Sequence, residues 1–139
     1  MNIQGKWKGY YEYGDGYALP YFGSKVEIEV IISLDKEGRL NGSVNEIQSP
    51  FSVPMKAEIT GFIDQDLISF IKKYDAYPFI NENNECEINS DRKLEIPHNG
   101  YIDIKNNAIY GTWSIEDPYE QDGHQYIDFL SGIWLLKRN

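Results

Sequence analysis

Period-two alternation is the feature that most constrains this chain. Val26, Ile28, Val30, Ile32 and Leu34 alternate with Lys25, Glu27, Glu29, Ile31 and Ser33, and only an extended strand gathers one such set on a single face. The pattern returns along the rest of the chain. Gly5, Trp7, Gly9, Tyr11 and Tyr13 share one face of a first strand, Ile3 to Tyr13, and Gln4, Lys6, Lys8, Tyr10 and Glu12 share the other. Leu40, Gly42, Val44 and Glu46 mark the third strand, Met55, Ala57, Ile59, Gly61 and Ile63 the fourth, and Leu67 to Tyr74 the fifth. Leu94, Ile96, His98, Gly100, Ile102 and Ile104 give the sixth, Ile109, Gly111, Trp113 and Ile115 the seventh, and Gln125 to Arg138 the eighth. No ten-residue stretch keeps a helical stripe. The segment from Asp75 to Arg92 follows neither period and leaves room for one short helix.

The connections sort by length. Asp35–Gly38, Asp64–Asp66 and Lys105–Asn107 are as short as hairpins allow, whereas Gly14–Gly23, Ser49–Pro54, Asp75–Arg92 and Asp117–His124 are longer. In an up-and-down meander successive connections alternate between two ends, so every tight turn falls on one rim and every long loop on the other. The expected fold is therefore all-β, an eight-stranded up-and-down antiparallel β-barrel spanning 1–139 as a single domain. The small-large order of Gly5, Trp7, Gly9 and Tyr11 suits the inside of such a wall, where glycine leaves space for a neighbouring ring. Long loops at one mouth are where binding surfaces gather, unless they fold inward as a plug.

Charge narrows the partners. The formal net charge is −9, and it is uneven: ten acids face eight bases up to Tyr74, and twelve face five from Asp75 onward. Such a chain repels phosphate backbones and anionic membranes, so neither nucleic acid nor membrane is expected, while a basic protein or a cationic ligand is permitted. Cys86 is the only cysteine and the histidines number two, too few for a His/Cys zinc site, so no metal and no cofactor is expected. No apolar run approaches a membrane span or a signal peptide, and the expected location is cytoplasmic.

Gly5-Lys-Trp7 on the first strand and Ile133-Trp134-Leu135-Leu136-Lys137-Arg138 on the last resemble the calycin superfamily of lipocalins, avidins and fatty-acid-binding proteins. The rhythm is nearest to the avidin branch: Leu40-Asn-Gly42-Ser-Val44, Ile59-Thr-Gly61-Phe62 and Ser69-Phe70-Ile71-Lys72-Lys73-Tyr74 fall in the same order. The resemblance implies a lipocalin/avidin-like barrel that binds a small ligand. It also implies a closed-end lock in which Trp7 packs under Arg138. It does not reach the biotin residues. Gly9 stands where avidins carry an asparagine, Val44 where they carry a tyrosine, and Ile68 and Phe70 where a pocket tryptophan belongs.

The alternation aims Tyr11, Tyr13, Glu46, His98 and Asp128 into the lumen, toward mid-wall or the open rim. Buried polar groups need partners, so Glu46 and Asp128 are candidates for an acid–base pair or a grip on a cation, and His98 for a proton carrier. Near Asp128, Ile127 and Phe129 compete for the inner face and suggest a bulge. The long loops carry Tyr21, Phe22 and Tyr77 among other apolar groups, either as a lid or as a contact surface. Tyr10, Ile133 and Leu135 face outward on adjacent first and last strands and suggest a homodimer through the barrel wall. Three functions follow: binding of a small apolar or aromatic ligand between the long loops, binding of a basic protein through the tyrosine-rich rim in the manner of an inhibitor or immunity module, and catalysis with His98 and Glu46 as acid and base.

Overall fold

The computed structural model describes residues 2–138. Ten strands run in chain order: β1 (Gly5–Tyr13), β2 (Lys25–Leu34), β3 (Arg39–Glu46), β4 (Ala57–Asp64), β5 (Leu67–Tyr74), β6 (Tyr77–Ile80), β7 (Cys86–Asn89), β8 (Leu94–Asp103), β9 (Ala108–Gln121) and β10 (His124–Lys137). Eight of them close an antiparallel barrel in the order β1-β10-β9-β8-β5-β4-β3-β2, with β6 and β7 paired apart as a two-stranded ribbon. Closure is made by β1 against β10, from Lys8 opposite Lys137 to Tyr13 opposite Gly132. The fold is the expected eight-stranded meander, and the alternation read from the sequence is its inside and outside, except that Ile104 lies past the end of β8 in the turn Ile104–Asn106 and is exposed rather than on the inner face.

One half of the lumen is filled almost completely by apolar side chains. Ile3, Trp7, Ile32, Leu40, Ile59, Ile109 and Leu136, toward the end of the tight turns, are all buried. The Arg138 guanidinium carbon lies 4.5 Å from the centre of the Trp7 ring, and its nitrogens donate to the carbonyls of Gln4 and Asn2. The Trp7 indole N–H donates to Ile3 O at 2.8 Å. Glycine leaves the room that the tryptophan rings of the inner wall occupy. A Cβ on Gly132 would stand 2.4 Å from the Trp113 ring and 2.0 Å from Glu12 O, and one on Gly100 would stand 2.9 Å from the Trp134 ring.

The open rim differs from expectation in three places. The Asp75–Arg92 segment holds no helix; it folds into the β6–β7 ribbon, with Tyr77 opposite Asn89 and Ile80 opposite Cys86. Asp117–His124 is not a loop: β9 and β10 continue beyond the barrel and turn at Asp122 and Gly123, both with positive φ, the residue pair that a two-residue hairpin turn prefers. Pro118 is tolerated there because β8 pairs with β9 only as far as His98 opposite Trp113, leaving an open edge. Nor is there a bulge at Asp128. The β9–β10 register runs unbroken from Gln121–His124 to Ala108–Lys137, which keeps Asp128 on the inner face with Trp134 and turns Ile127 and Phe129 to solvent.

Candidate functional site

The inner faces of β1, β3, β5 and β8 change character halfway up the barrel. Below, they carry Trp7, Val44, Ile68 and Ile102; above, Tyr11, Tyr13, Glu46, Lys72, Tyr74 and His98. Glu46 ends β3, and its side chain is only 1% exposed. Four donors converge on it. Oε1 accepts from the Tyr11 hydroxyl at 2.6 Å and the Val53 backbone N–H at 2.8 Å, and Oε2 accepts from the Tyr74 hydroxyl and from Lys72 Nζ at 3.4 Å. Val53 can reach because the β3–β4 loop folds inward, fixed by Tyr13, whose hydroxyl donates to Phe51 O at 2.6 Å. The long loop thus acts in part as the plug that an inward fold implies.

Lys72 is the group that reading from sequence passed over. Its side chain is 5% exposed, and Glu46 is its ion-pair partner. Nζ lies 4.5 Å from the centre of the Tyr11 ring and 4.9 Å from that of Tyr74, so two aromatic faces share its charge. Burial lowers its pKa, and Glu46 opposes that shift. Burial, reinforced by the Glu46 carboxylate, raises the pKa of Tyr11 and Tyr74 well above the phenol range.

His98 stands opposite Phe70 on β5 and stacks on its ring at 4.7 Å. Burial, with the nearby Lys72 charge, pushes its pKa down to about 3. Nδ1 lies 2.9 Å from Ile96 O. A carbonyl only accepts, so the neutral ring carries its proton on Nδ1 and leaves the Nε2 lone pair free. The expected pairings are corrected accordingly. Glu46 is bound by Tyr11, Tyr74, Lys72 and Val53 rather than by Asp128, and the hydrogen-bond partner of His98 is the Ile96 backbone carbonyl.

Above this layer lies a cavity of about 410 Å³, walled by Tyr13, Tyr17, Tyr21, Tyr74, Leu94, Ile96, Trp113 and Ile115 and reaching Asp117 and Asp128 at the mouth. Below it is a void of about 20 Å³ among Ile28, Val30, Val44, Ile59 and Phe70. Tyr11, Lys72 and His98 border both spaces, and together they are the cavity floor. Asp128 lines the mouth but is exposed, directly opposite Asp117 on β9. Tyr21 is buried, with its hydroxyl donating to Asn84 O at 3.1 Å, which ties the β1–β2 loop to the ribbon. Tyr77 secures the ribbon to β9 by donating to Asp117 at 2.6 Å, under the Arg92 guanidinium 4.0 Å from its ring centre. Phe22 is half exposed and stands outside the cavity lining.

No protein-family model matches the chain, and no curated protein matches it. Among solved structures, the chain is similar to rhizavidin in complex with biotin at 17% identity, covering 100% of this chain and 98% of that one, with a TM-score of 0.49. A second structure of rhizavidin matches at 16% identity over 95% of this chain and 83% of that one, with a TM-score of 0.44. The assignment of the barrel rests on the strand pairing described above.

Proposed function

We propose that this protein binds a small, uncharged, apolar or aromatic molecule inside the barrel. The observation that carries the reading is the 410 Å³ cavity, open between the loops and floored by Tyr11, Lys72 and His98. Its volume lies in the range of ligand pockets, which combine apolar walls with a few convergent polar groups. An anion is disfavoured, because Glu46 already balances Lys72 and Asp117 and Asp128 stand at the mouth. Orientation would come from the remaining N–H groups of Lys72 and the free Nε2 of His98, a donor and an acceptor on neighbouring strands.

Titration with the neutral dye N-phenyl-1-naphthylamine tests this. Saturable enhancement with one site per chain, together with quenching of Trp113 in the cavity wall, is expected. Leu94→Trp, which fills the cavity from β8, should abolish it in a folded protein. Absence of saturable binding up to the solubility limit would overturn the reading.

A second reading, a surface for a basic protein, draws on the exposed apolar groups of the projecting hairpin, where Phe129 is 66% and Ile127 52% exposed amid Glu116, Glu120 and Asp122. Its mark would be association that weakens steeply with salt. Salt-insensitive behaviour in the presence of basic proteins removes it.

A further inference from the structure

We propose that Lys72 forms a reversible imine with an aldehyde or ketone seated in the cavity, so that the barrel takes carbonyl compounds covalently. The inference rests on the small-molecule reading and narrows it to a chemical class. Three features of the floor carry it. Lys72 is an amine enclosed within the wall yet bordering the space where a ligand sits. Its Nζ is held 3.4 Å from Glu46 Oε2, a carboxylate placed to move protons. Two phenol rings flank it, and the Tyr11 and Tyr74 hydroxyls donate to that same carboxylate.

The step balances without any further reactant. Glu46 takes a proton from the Lys72 ammonium, and the freed nitrogen lone pair attacks the carbonyl carbon. The C–N bond forms as the carbonyl π pair moves to oxygen, which is protonated to give the carbinolamine. A second proton from nitrogen, again relayed by Glu46, lets that oxygen leave as water while the C=N bond closes. Two of the three ammonium protons depart in the water. The third remains on the iminium, whose single positive charge replaces that of the ammonium beside Glu46 and the two rings. The charge arrangement of the floor is therefore the same before and after reaction. The other titratable groups around Nζ are Tyr11 and Tyr13 on β1, Tyr74 on β5 and His98 on β8. The tyrosines stay protonated at neutral pH and His98 stays neutral, so Glu46 is the proton carrier. Burial also lowers the Lys72 pKa, which enlarges the fraction of free amine available at neutral pH.

The other nine lysines of the chain are exposed, which makes the test internal to one molecule. Cinnamaldehyde and sodium cyanoborohydride are added to the intact protein at pH 7, and reduced adducts are mapped by peptide mass spectrometry. Lys72 is expected to label at least about tenfold faster than any exposed lysine, and the preference should vanish in urea. Lys72→Arg should lose that adduct, with circular dichroism reporting the fold. Glu46→Gln should slow labelling in protein that remains folded. Cinnamyl alcohol, which cannot form an imine, separates the two claims through Trp113 quenching in the unmodified protein. If the alcohol binds saturably but adducts spread evenly over the lysines, the carbonyl inference is overturned and the cavity reading stands. If neither compound binds and no selective adduct forms, both fall.

Discussion

Glu46→Gln should be among the most damaging single substitutions in this barrel, and Lys72→Met should rescue it. The wild-type carboxylate compensates a lysine that is almost wholly buried. Replacing it with an amide leaves the ammonium stranded and turns an N–H₂ toward it. Removing one partner of a buried pair typically costs about 3–5 kcal/mol. Lys72→Met alone should cost less, about 1–3 kcal/mol, because Glu46 keeps three donors in Tyr11, Tyr74 and Val53. In the double variant nothing is stranded: the amide oxygen still accepts from Val53 and Tyr11, and the amide nitrogen can donate to the Tyr74 oxygen. Its stability should exceed that of Glu46→Gln, with a coupling of about 2–3 kcal/mol between the sites. Urea unfolding at pH 7, followed by tryptophan fluorescence, measures all four proteins, and Glu46→Gln should also lower Tm by about 10 °C or more. If Glu46→Gln lies within about 1 kcal/mol of the parent, or the two losses simply add, the floor is not the coupled ion pair described here.

Four further outcomes follow from particular contacts. His98, held near pKa 3 when folded against an ordinary value of 6.5, contributes stability that is complete above pH 6.5. That stability is lost as pH falls toward 3, at up to about 1.4 kcal/mol per pH unit. His98→Gln should therefore flatten this part of the pH–stability curve between pH 6.5 and 4.5, and the His98 imidazole proton shifts of the parent should not titrate there. Gly132→Ala, which drives a methyl into Trp113 and Glu12 O, should cost about 1–3 kcal/mol in urea unfolding. Arg138→Ala removes the cation over Trp7 and two hydrogen bonds, and should cost about 1–2 kcal/mol by the same measurement. Tyr77→Phe releases the ribbon from Asp117, and should speed N-phenyl-1-naphthylamine association and release together by about three- to tenfold in stopped flow, equivalent to roughly 1 kcal/mol of latch.

The barrel was legible because its evidence is periodic and local. Alternation from Val26 to Leu34 or from Leu94 to Ile102 can be satisfied in only one way, and the tight turns had to share a rim once the strands ran up and down. The ribbon was not legible for the opposite reason. β6 and β7 have four residues each, and Pro78 interrupts the first, so neither is long enough to show a period. The β9–β10 extension did carry a signal, Asp122-Gly123, but its flanks are polar because beyond the rim there is no core to face. Asp128 was aimed correctly and placed too deep, since register sets the face of a side chain while strand length relative to the wall decides its burial.

Lys72 shows where sequence reasoning stops and why. Ile68, Phe70, Lys72 and Tyr74 alternate inward together, so the facing of Lys72 was already implied, yet a lysine beside Lys73 reads as one of two solvated charges. What keeps it inside is Glu46, twenty-six residues away, together with Tyr11 on β1 and a backbone N–H from a loop without regular structure. Those partners meet only when the barrel closes. Physically, such a layer is an expensive way to fill space: well-packed apolar residues of equal volume are often as stabilising as a buried ion pair, or more so. The lower half of the same lumen is filled with apolar side chains such as Leu40, Ile59 and Ile109, so the fold has no need of charge to occupy its interior. The change from apolar to polar side chains coincides with the level at which the lumen opens into a cavity. The polar layer is a floor facing that cavity, and a charged layer placed at that level is what the proposed binding of a small molecule there would require.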